Sequence, residues 1–148
     1  MRKNFVISKQ GDIEGFSSFK CSFCGEDFKL NTNEVQEDDV IELFCPNCGI
    51  PSPIPTYYTA DVIEHAETLV MNEAIEMLND LFKGFERNTR RNKNMTFKRG
   101  KPLPTKKPRA LFENDDLEQI EFLCCNRKAK LSLLSKTIKP FCPYCGVN

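Results

Sequence analysis

Eight cysteines, most of them in closely spaced pairs, constrain this chain more than any other feature. In 148 residues they lie at positions 21, 24, 45 and 48 and again at 124, 125, 142 and 145. A secreted disulfide framework is one alternative, because an even cysteine count permits it. The N-terminal stretch is charged and lacks the apolar run of a signal peptide. We therefore expect a cytoplasmic protein whose paired thiols hold a metal.

The first four cysteines form a Cys-x-x-Cys pair, a spacer of 20 residues and a second Cys-x-x-Cys pair. In such turns both sulfurs face one concavity, and Gly25 and Gly49 follow where the chain must bend tightly. Two turns together offer four sulfurs to a tetrahedral Zn²⁺. Iron, which four thiolates also suit, is the alternative metal. The predicted ligands of this first site are Cys21, Cys24, Cys45 and Cys48.

These turns resemble those of zinc ribbons, the rubredoxin-like knuckle modules found in many transcription, replication and translation proteins. The resemblance covers about 35 residues at each end of the chain and leaves the middle uncovered. It implies a fold and a metal, zinc at both ends, but no particular activity.

The second set of cysteines departs from the pattern. Cys142 and Cys145 form a knuckle, but Cys124 and Cys125 are adjacent, and consecutive strand residues point to opposite faces. A backbone that turns sharply there would bring all four to one metal, and this four-cysteine site is our prediction. The alternative is three cysteines with a ligand from elsewhere, such as His65, the single histidine.

A weak internal repeat relates the two ends of the chain. Aligning Cys24 with Cys125 sets Lys29-Leu30 on Lys130-Leu131, and each copy runs on to Phe-Cys-Pro-x-Cys-Gly. The same alignment places Phe122 where the first copy has Cys21.

Hydrophobic periodicity gives the fold class. Apolar residues at three- and four-residue spacing predict a long amphipathic helix from Asp61 to Arg87. Short alternating segments predict strands at 16–20, 27–30, 40–44, 117–123, 129–134 and 138–141. We expect an α+β protein in which two small zinc-ribbon β units are joined by the helix and a basic connector. The predicted domains are an N-terminal ribbon (1–55), the helix (56–92), the connector (93–112) and a C-terminal ribbon (113–148).

Charge is strongly polarised along the chain. Residues 1–82 carry 15 acidic and 5 basic side chains, whereas residues 83–109, here called the basic belt, carry 11 basic and 1 acidic. Such a cluster favours phosphate contacts with nucleic acid. The alternative is a solvated segment that neutralises the acidic half. The predicted nucleic-acid contacts are Arg87, Arg90, Arg91, Lys93, Lys98, Arg99, Lys101, Lys106, Lys107 and Arg109.

Catalysis is not expected. Cys142-Pro143-Tyr144-Cys145 has the letters of a thiol redox site, but that chemistry needs a helix starting at the first cysteine, and only three residues follow Cys145. His65 lies in no His-Glu-x-x-His pattern, and the sequence has neither a phosphate-binding loop nor a nucleophile elbow.

The sequence thus predicts a non-enzymatic zinc protein that acts as a nucleic-acid-binding accessory factor. The alternative function is a protein–protein interaction adaptor or a subunit of a larger complex. The apolar face of the helix must pack on something, and a homodimer through residues 61–87 is one expectation. No stretch approaches the roughly 20 apolar residues that a membrane span needs, so no membrane partner is expected.

Overall fold

A computed structural model describes residues 9–148, so the N-terminal stretch weighed as a signal peptide lies almost wholly outside the described residues. Two compact units are present. One comprises residues 9–63 with Leu111–Asn148, and the other comprises Glu64–Ala110. Across residues 9–148, no helix combines the length and the apolar character that crossing a membrane requires.

The elements confirm the mixed α+β class, with small antiparallel sheets and one long helix. The helix extends the predicted bounds slightly and begins directly after Thr59. In chain order the elements are β1 (Phe16–Lys20), β2 (Asp27–Asn31), α1 (Thr32–Val35), β3 (Glu42–Phe44), β4 (Pro51–Pro53), a 3-10 helix (Ile54–Tyr57), α2 (Ala60–Thr89), β5 (Glu118–Phe122), β6 (Arg127–Leu131) and α3 (Leu133–Thr137).

The two ends of the chain share one sheet. Its antiparallel order is β1-β2-β6-β5, and a separate two-stranded sheet pairs β3 with β4. The predicted division into ribbons 1–55 and 113–148 differs from this arrangement, because β2 pairs with β6 across most of the sequence. Residues 9–63 and 111–148 therefore belong to one compact unit.

The sheet has an approximate two-fold axis that follows the internal repeat. Lys29 and Lys130, which the repeat alignment equates, face each other across β2 and β6. The two hairpins also keep the same register, with Phe19 opposite Phe28 in one and Ile120 opposite Ala129 in the other. The repeat is thus a duplicated hairpin whose copies pair through their second strands.

Apolar side chains from both hairpins fill one face of this sheet. Phe28, Leu30 and Leu131 are fully buried there, together with several of the cysteines. Tyr57 joins them edge-on to Phe28 at a centroid distance of 5.7 Å. Its buried hydroxyl donates a hydrogen bond of 2.8 Å to the Ile50 carbonyl, and burial raises its pKa to about 12.

The opposite face of the sheet buries charge. Lys29 and Lys130 are only 2% and 3% exposed. Lys130 Nζ lies 2.7 Å from Asp12, 2.9 Å from Asp115 and 3.0 Å from Glu14. Lys29 Nζ lies 3.8 Å from carboxylate oxygens of both Asp12 and Glu113, and it has no hydrogen-bond partner among residues 9–148.

Three strand predictions are corrected. The strand predicted at 129–134 ends at Leu131, because α3 begins at Leu133. Residues 138–141 are not a strand, since the chain forms α3 just before them. Ser132 explains this helix, because its side chain accepts a hydrogen bond of 3.2 Å from the Ser135 backbone N–H at the N-cap. Residues 40–44 contribute only the three-residue β3, which pairs with the proline-rich β4 rather than with β1 or β2.

Candidate metal centres and basic belt

The first four cysteines come together as one cluster. The two knuckle turns place Cys21 Sγ 3.8 Å from Cys48 Sγ and Cys24 Sγ 3.5 Å from Cys45 Sγ. Each turn closes with a hydrogen bond from its glycine N–H to the first cysteine carbonyl, at 3.0 Å for Gly25 and 2.8 Å for Gly49. Both glycines have positive φ, the conformation that the tight turn requires.

The second cluster also holds four cysteines, and the adjacent pair lies in a turn rather than in a strand. Asn126 takes the place of Gly25, with φ of 55°, and its N–H donates to the Phe122 carbonyl at 2.9 Å. Phe122 therefore occupies the first position of the turn, and Cys124 and Cys125 occupy its third and fourth. Cys125 Sγ lies 4.0 Å from Cys124 Sγ and 3.6 Å from Cys142 Sγ.

Each cluster could bind a metal ion. All four sulfurs of a cluster lie within 4.8 Å of one another, and all eight cysteines are free. Four sulfurs held at about 2.3 Å from a tetrahedral centre are separated by about 3.8 Å. Four of the sulfur–sulfur separations, at 3.5–4.0 Å, agree with that value, and the others are at most 4.8 Å. A fourth ligand from elsewhere is therefore not needed at the second site.

The C-terminal knuckles of the two clusters interlock. The Phe44 N–H donates to the Pro143 carbonyl at 2.8 Å, and the Phe141 N–H donates to the Pro46 carbonyl at 2.9 Å. Each ring also covers the glycine of the other knuckle. A Cβ at Gly49 would lie 3.1 Å from the Phe141 ring, and a Cβ at Gly146 would lie 2.6 Å from the Phe44 ring. The two clusters are therefore in direct contact through backbone hydrogen bonds and phenylalanine rings.

The thiols of each cluster differ in acidity. Burial raises the pKa of Cys45 and Cys142 well above the ordinary thiol value, and it raises the pKa of Cys145 to about 11. Burial also acts on Cys24, but hydrogen bonds from the Glu26 backbone and the Asn47 side chain outweigh it and lower the pKa to about 7. Four crowded thiols cannot all ionise without a cation among them. A bound metal ion would supply the positive charge that four neighbouring thiolates require.

The basic belt is open to solvent. All eleven of its basic side chains are exposed. Within residues 9–148, ion pairs engage two of them: Arg99 with Glu86 at 3.1 Å and Arg109 with Glu64 at 3.7 Å. One of these partners, Glu64, belongs to the acidic first half, and among the described residues the other nine basic side chains of the belt form no ion pair.

The second part of the belt, residues 99–109, is an extended segment fixed along α2. The Asn79 side chain exchanges two hydrogen bonds with the Leu103 backbone, at 2.8 and 3.0 Å. Asn72 does the same with the Lys106 backbone, at 2.8 and 2.6 Å. The His65 Nδ1–H donates to the Arg109 carbonyl at 2.8 Å.

The spacing of these contacts is regular. His65, Asn72 and Asn79 are seven residues apart, which is about 10 Å along a helix, and three extended residues cover about the same length. All the bonds reach the backbone of the segment, so its basic side chains remain exposed. Asn72 and Asn79 were not expected from the sequence, and His65 was considered only as a possible metal ligand. The signal that could have found them is a seven-residue polar repeat on a helix followed by a proline-rich segment.

Comparisons with known proteins identify no relative. No family model, curated protein or solved structure matches this chain.

Proposed function

We propose that this chain is a non-enzymatic, cytoplasmic zinc protein that contacts nucleic-acid phosphates through its basic belt. Two closed clusters of four thiolates suit structural zinc, which contributes folding free energy directly. Iron is the competing metal for four thiolates. Metal analysis of purified protein distinguishes them: we expect two zinc ions per chain and a colourless sample, whereas visible absorbance with bound iron would overturn the zinc assignment.

The open belt carries the nucleic-acid proposal. Each lysine or arginine that neutralises a phosphate releases condensed counterions, so exposed cations without acidic partners bind nucleic acid favourably. Holding residues 99–109 against α2 by their backbone limits the chain entropy that binding must remove. Because no recognition helix or RNA-recognition motif is present in the sequence, contacts to the phosphate backbone are expected to dominate.

The test is binding to unrelated DNA and RNA oligonucleotides over a salt series. Replacing Arg90, Arg91 and Lys98 with Gln should weaken binding and reduce the slope of log K against log salt by about 2–3. The matched control replaces Lys20, Lys128 and Lys139 with Gln, which removes the same charge from exposed positions of the other unit. An equal loss in both variants, or no binding by the native protein at low salt, would contradict the proposal.

A second candidate function, protein–protein contact, is favoured by the apolar stripe of α2. The stripe comprises Val70, Ala74, Met77, Leu81 and Phe85, about half a turn around the helix from the residues that hold the extended segment. Its members are exposed, with Leu81 and Phe85 each at 58%. Contiguous exposed apolar surface of this kind is typical of an interaction site.

The proposed occupant of this stripe is a second copy of the chain, in antiparallel orientation. Acidic side chains such as Glu64, Glu67 and Asp80 lie along α2, whereas Lys83 and Arg87 lie at its end. Antiparallel pairing would set the acidic stretch of each helix beside the basic end of the other. Leu81→Glu should then produce a monomer by light scattering at micromolar concentration. The control is Leu123→Glu, at an 89% exposed leucine on a knuckle turn. A native monomer would contradict this candidate.

A further inference from the structure

A cavity of about 320 Å³ lies where the extended segment begins. Its lining includes two aromatic residues, Phe82 and Phe97, and three basic residues, Lys98, Arg99 and Lys101. The cavity therefore combines an aromatic wall with positive charge, and it lies within the unit formed by residues 64–110.

Packing fixes the aromatic wall. Phe97 lies against two phenylalanines of α2, with centroid distances of 6.3 Å to both Phe82 and Phe85. Its backbone N–H donates to the Thr89 hydroxyl at 3.3 Å. Phe82 and Phe97 still retain 41% and 36% of their exposure, so ring surface remains available to a ligand.

Polar contacts fix other residues that line the cavity. Asn79 holds the Leu103 backbone through two hydrogen bonds, and the Arg99 guanidinium pairs with Glu86 at 3.1 Å. Lys98 and Lys101 are exposed and form no ion pair within residues 9–148. The cavity is thus preformed, with two cations at its edge that are ready to meet anionic groups.

We propose that this cavity binds one unpaired base of a single-stranded nucleic acid, with the flanking phosphates on Lys98 and Lys101. The inference rests on the proposed nucleic-acid function and makes it more specific. Every base has a π-face that stacks on an aromatic ring, whereas a base inside a duplex stays stacked on its neighbours. Because Asn79 Oδ1 is engaged by the Leu103 N–H, stacking rather than base-edge recognition is expected to dominate.

The experiment compares a single strand containing 2-aminopurine with a duplex of the same length. For the native protein we expect quenching of the 2-aminopurine fluorescence on binding and a preference for the single strand of about tenfold. Phe97→Leu and Phe82→Leu keep an apolar side chain but remove the aromatic wall. Both should abolish the quenching and the preference and leave duplex binding unchanged. Phe85→Leu is the matched control, because Phe85 contacts Phe97 at the same distance but does not line the cavity.

The outcomes separate this inference from the function on which it rests. Salt-sensitive binding with equal affinity for both strands, or with quenching that survives Phe97→Leu, would overturn the base site while the phosphate contacts stand. Loss of quenching in Phe85→Leu as well would also overturn it, since the effect would then come from packing of the helix end. No binding of either probe at low salt would overturn both proposals. Circular dichroism of each variant verifies that α2 is intact.

Discussion

The two halves of the metal-binding unit build the same turn with different residues. In the first half, Cys21 and Cys24 occupy the first and fourth positions and Gly25 closes the turn. In the second half, Phe122 occupies the first position and Asn126 closes it, so the sulfur comes from the third position instead. The hydrogen-bonded backbone of the turn, rather than the spacing of its cysteines, therefore brings the sulfurs together.

The same comparison extends to the buried lysines at the centre of the sheet. Lys130 is surrounded by three close carboxylates, and its pKa is raised: burial opposes this, but the hydrogen bonds to those carboxylates outweigh it. Lys29, its counterpart across the two-fold axis, has two carboxylate neighbours among residues 9–148, both at 3.8 Å. The two lysines thus occupy equivalent positions in the sheet but have different surroundings.

The largest effect should follow metal removal. Structural zinc binding contributes on the order of 10 kcal/mol per site. Because the knuckles interlock, a strong chelator should release both metals together and abolish the near-ultraviolet signal of the buried aromatic residues. A folded intermediate that retains one metal would show that the two halves are independent.

Lowering the pH should weaken metal binding and so favour the metal-free state, as a chelator does. Thiols must be deprotonated to bind metal, and in the metal-free clusters the pKa of Cys24 is about 7 whereas burial holds the pKa of Cys45 and Cys142 far higher. Protons therefore compete more strongly as pH falls, and metal affinity should decrease steadily from pH 8 to pH 6. A chelator competition at several pH values measures this, and a flat profile would contradict it.

Exchanging residues within the second turn sharpens the comparison. Cys124→Phe alone leaves three thiols at the second site and, because the knuckles interlock, should lower the metal content of both sites. Adding Phe122→Cys recreates the residue pattern of the first turn and should restore two ions. The double variant should still lose about 3 kcal/mol of folding free energy, because Phe122 is buried in the core. A double variant that holds one ion would show that the turns are not equivalent.

The lysine pair should respond unequally to replacement by methionine. Lys130→Met leaves the buried Asp12 carboxylate without its closest cation and should cost about 3 kcal/mol. Lys29→Met removes a buried ammonium that lacks a hydrogen-bond partner among residues 9–148, and it should change the free energy of unfolding by less than about 1 kcal/mol. Denaturant unfolding of both variants with metal bound measures this, and equal costs would contradict the asymmetry.

The smallest expected effect is faster metal loss from one site after a substitution in the knuckle of the other site. Phe141 belongs to the second cluster but covers Gly49 of the first, so Phe141→Leu should speed metal loss from the first site more than from the second. Phe44→Leu should do the reverse, and each change is expected to be several-fold, about 1 kcal/mol. Site-resolved metal exchange by nuclear magnetic resonance measures both rates. Faster loss only at the mutated knuckle's own site would mean that the interlock transmits nothing.

Much of the local structure could be predicted from the sequence. The Cys-x-x-Cys-Gly turns, the strand Phe16–Lys20 and nearly the full length of α2 follow from nearest-neighbour patterns, because turn chemistry and apolar periodicity are local properties. Whether adjacent Cys124 and Cys125 can both contribute to one cluster was less evident from the sequence. The repeat alignment of Cys24 with Cys125 indicated a turn at that position.

The tertiary arrangement could not be predicted in the same way. Pairing of β2 with β6 depends on residues about 100 positions apart, and alternating apolar patterns fit several partner strands equally well. The buried charges on the second face of the sheet could not be predicted either, because Asp12 and Glu113 resemble solvated acids in the sequence. Only the folded sheet brings Lys29 close to both of them and Lys130 close to Asp12. The hydrogen bonds of Asn72 and Asn79 to the backbone of the extended segment could not be predicted from apolar periodicity, because they involve polar side chains.

The interlocked knuckles have a consequence for the order of events during synthesis. Phe44 needs Pro143, and Pro46 needs Phe141, as hydrogen-bond partners, so the first cluster cannot reach its final packing until the last knuckle has been made. At about 5–20 residues per second, the intervening chain takes roughly 5–20 s to translate. During that interval the first four thiols lie in a nascent chain that still lacks the last knuckle. Early binding of a metal ion would protect these thiols from oxidation.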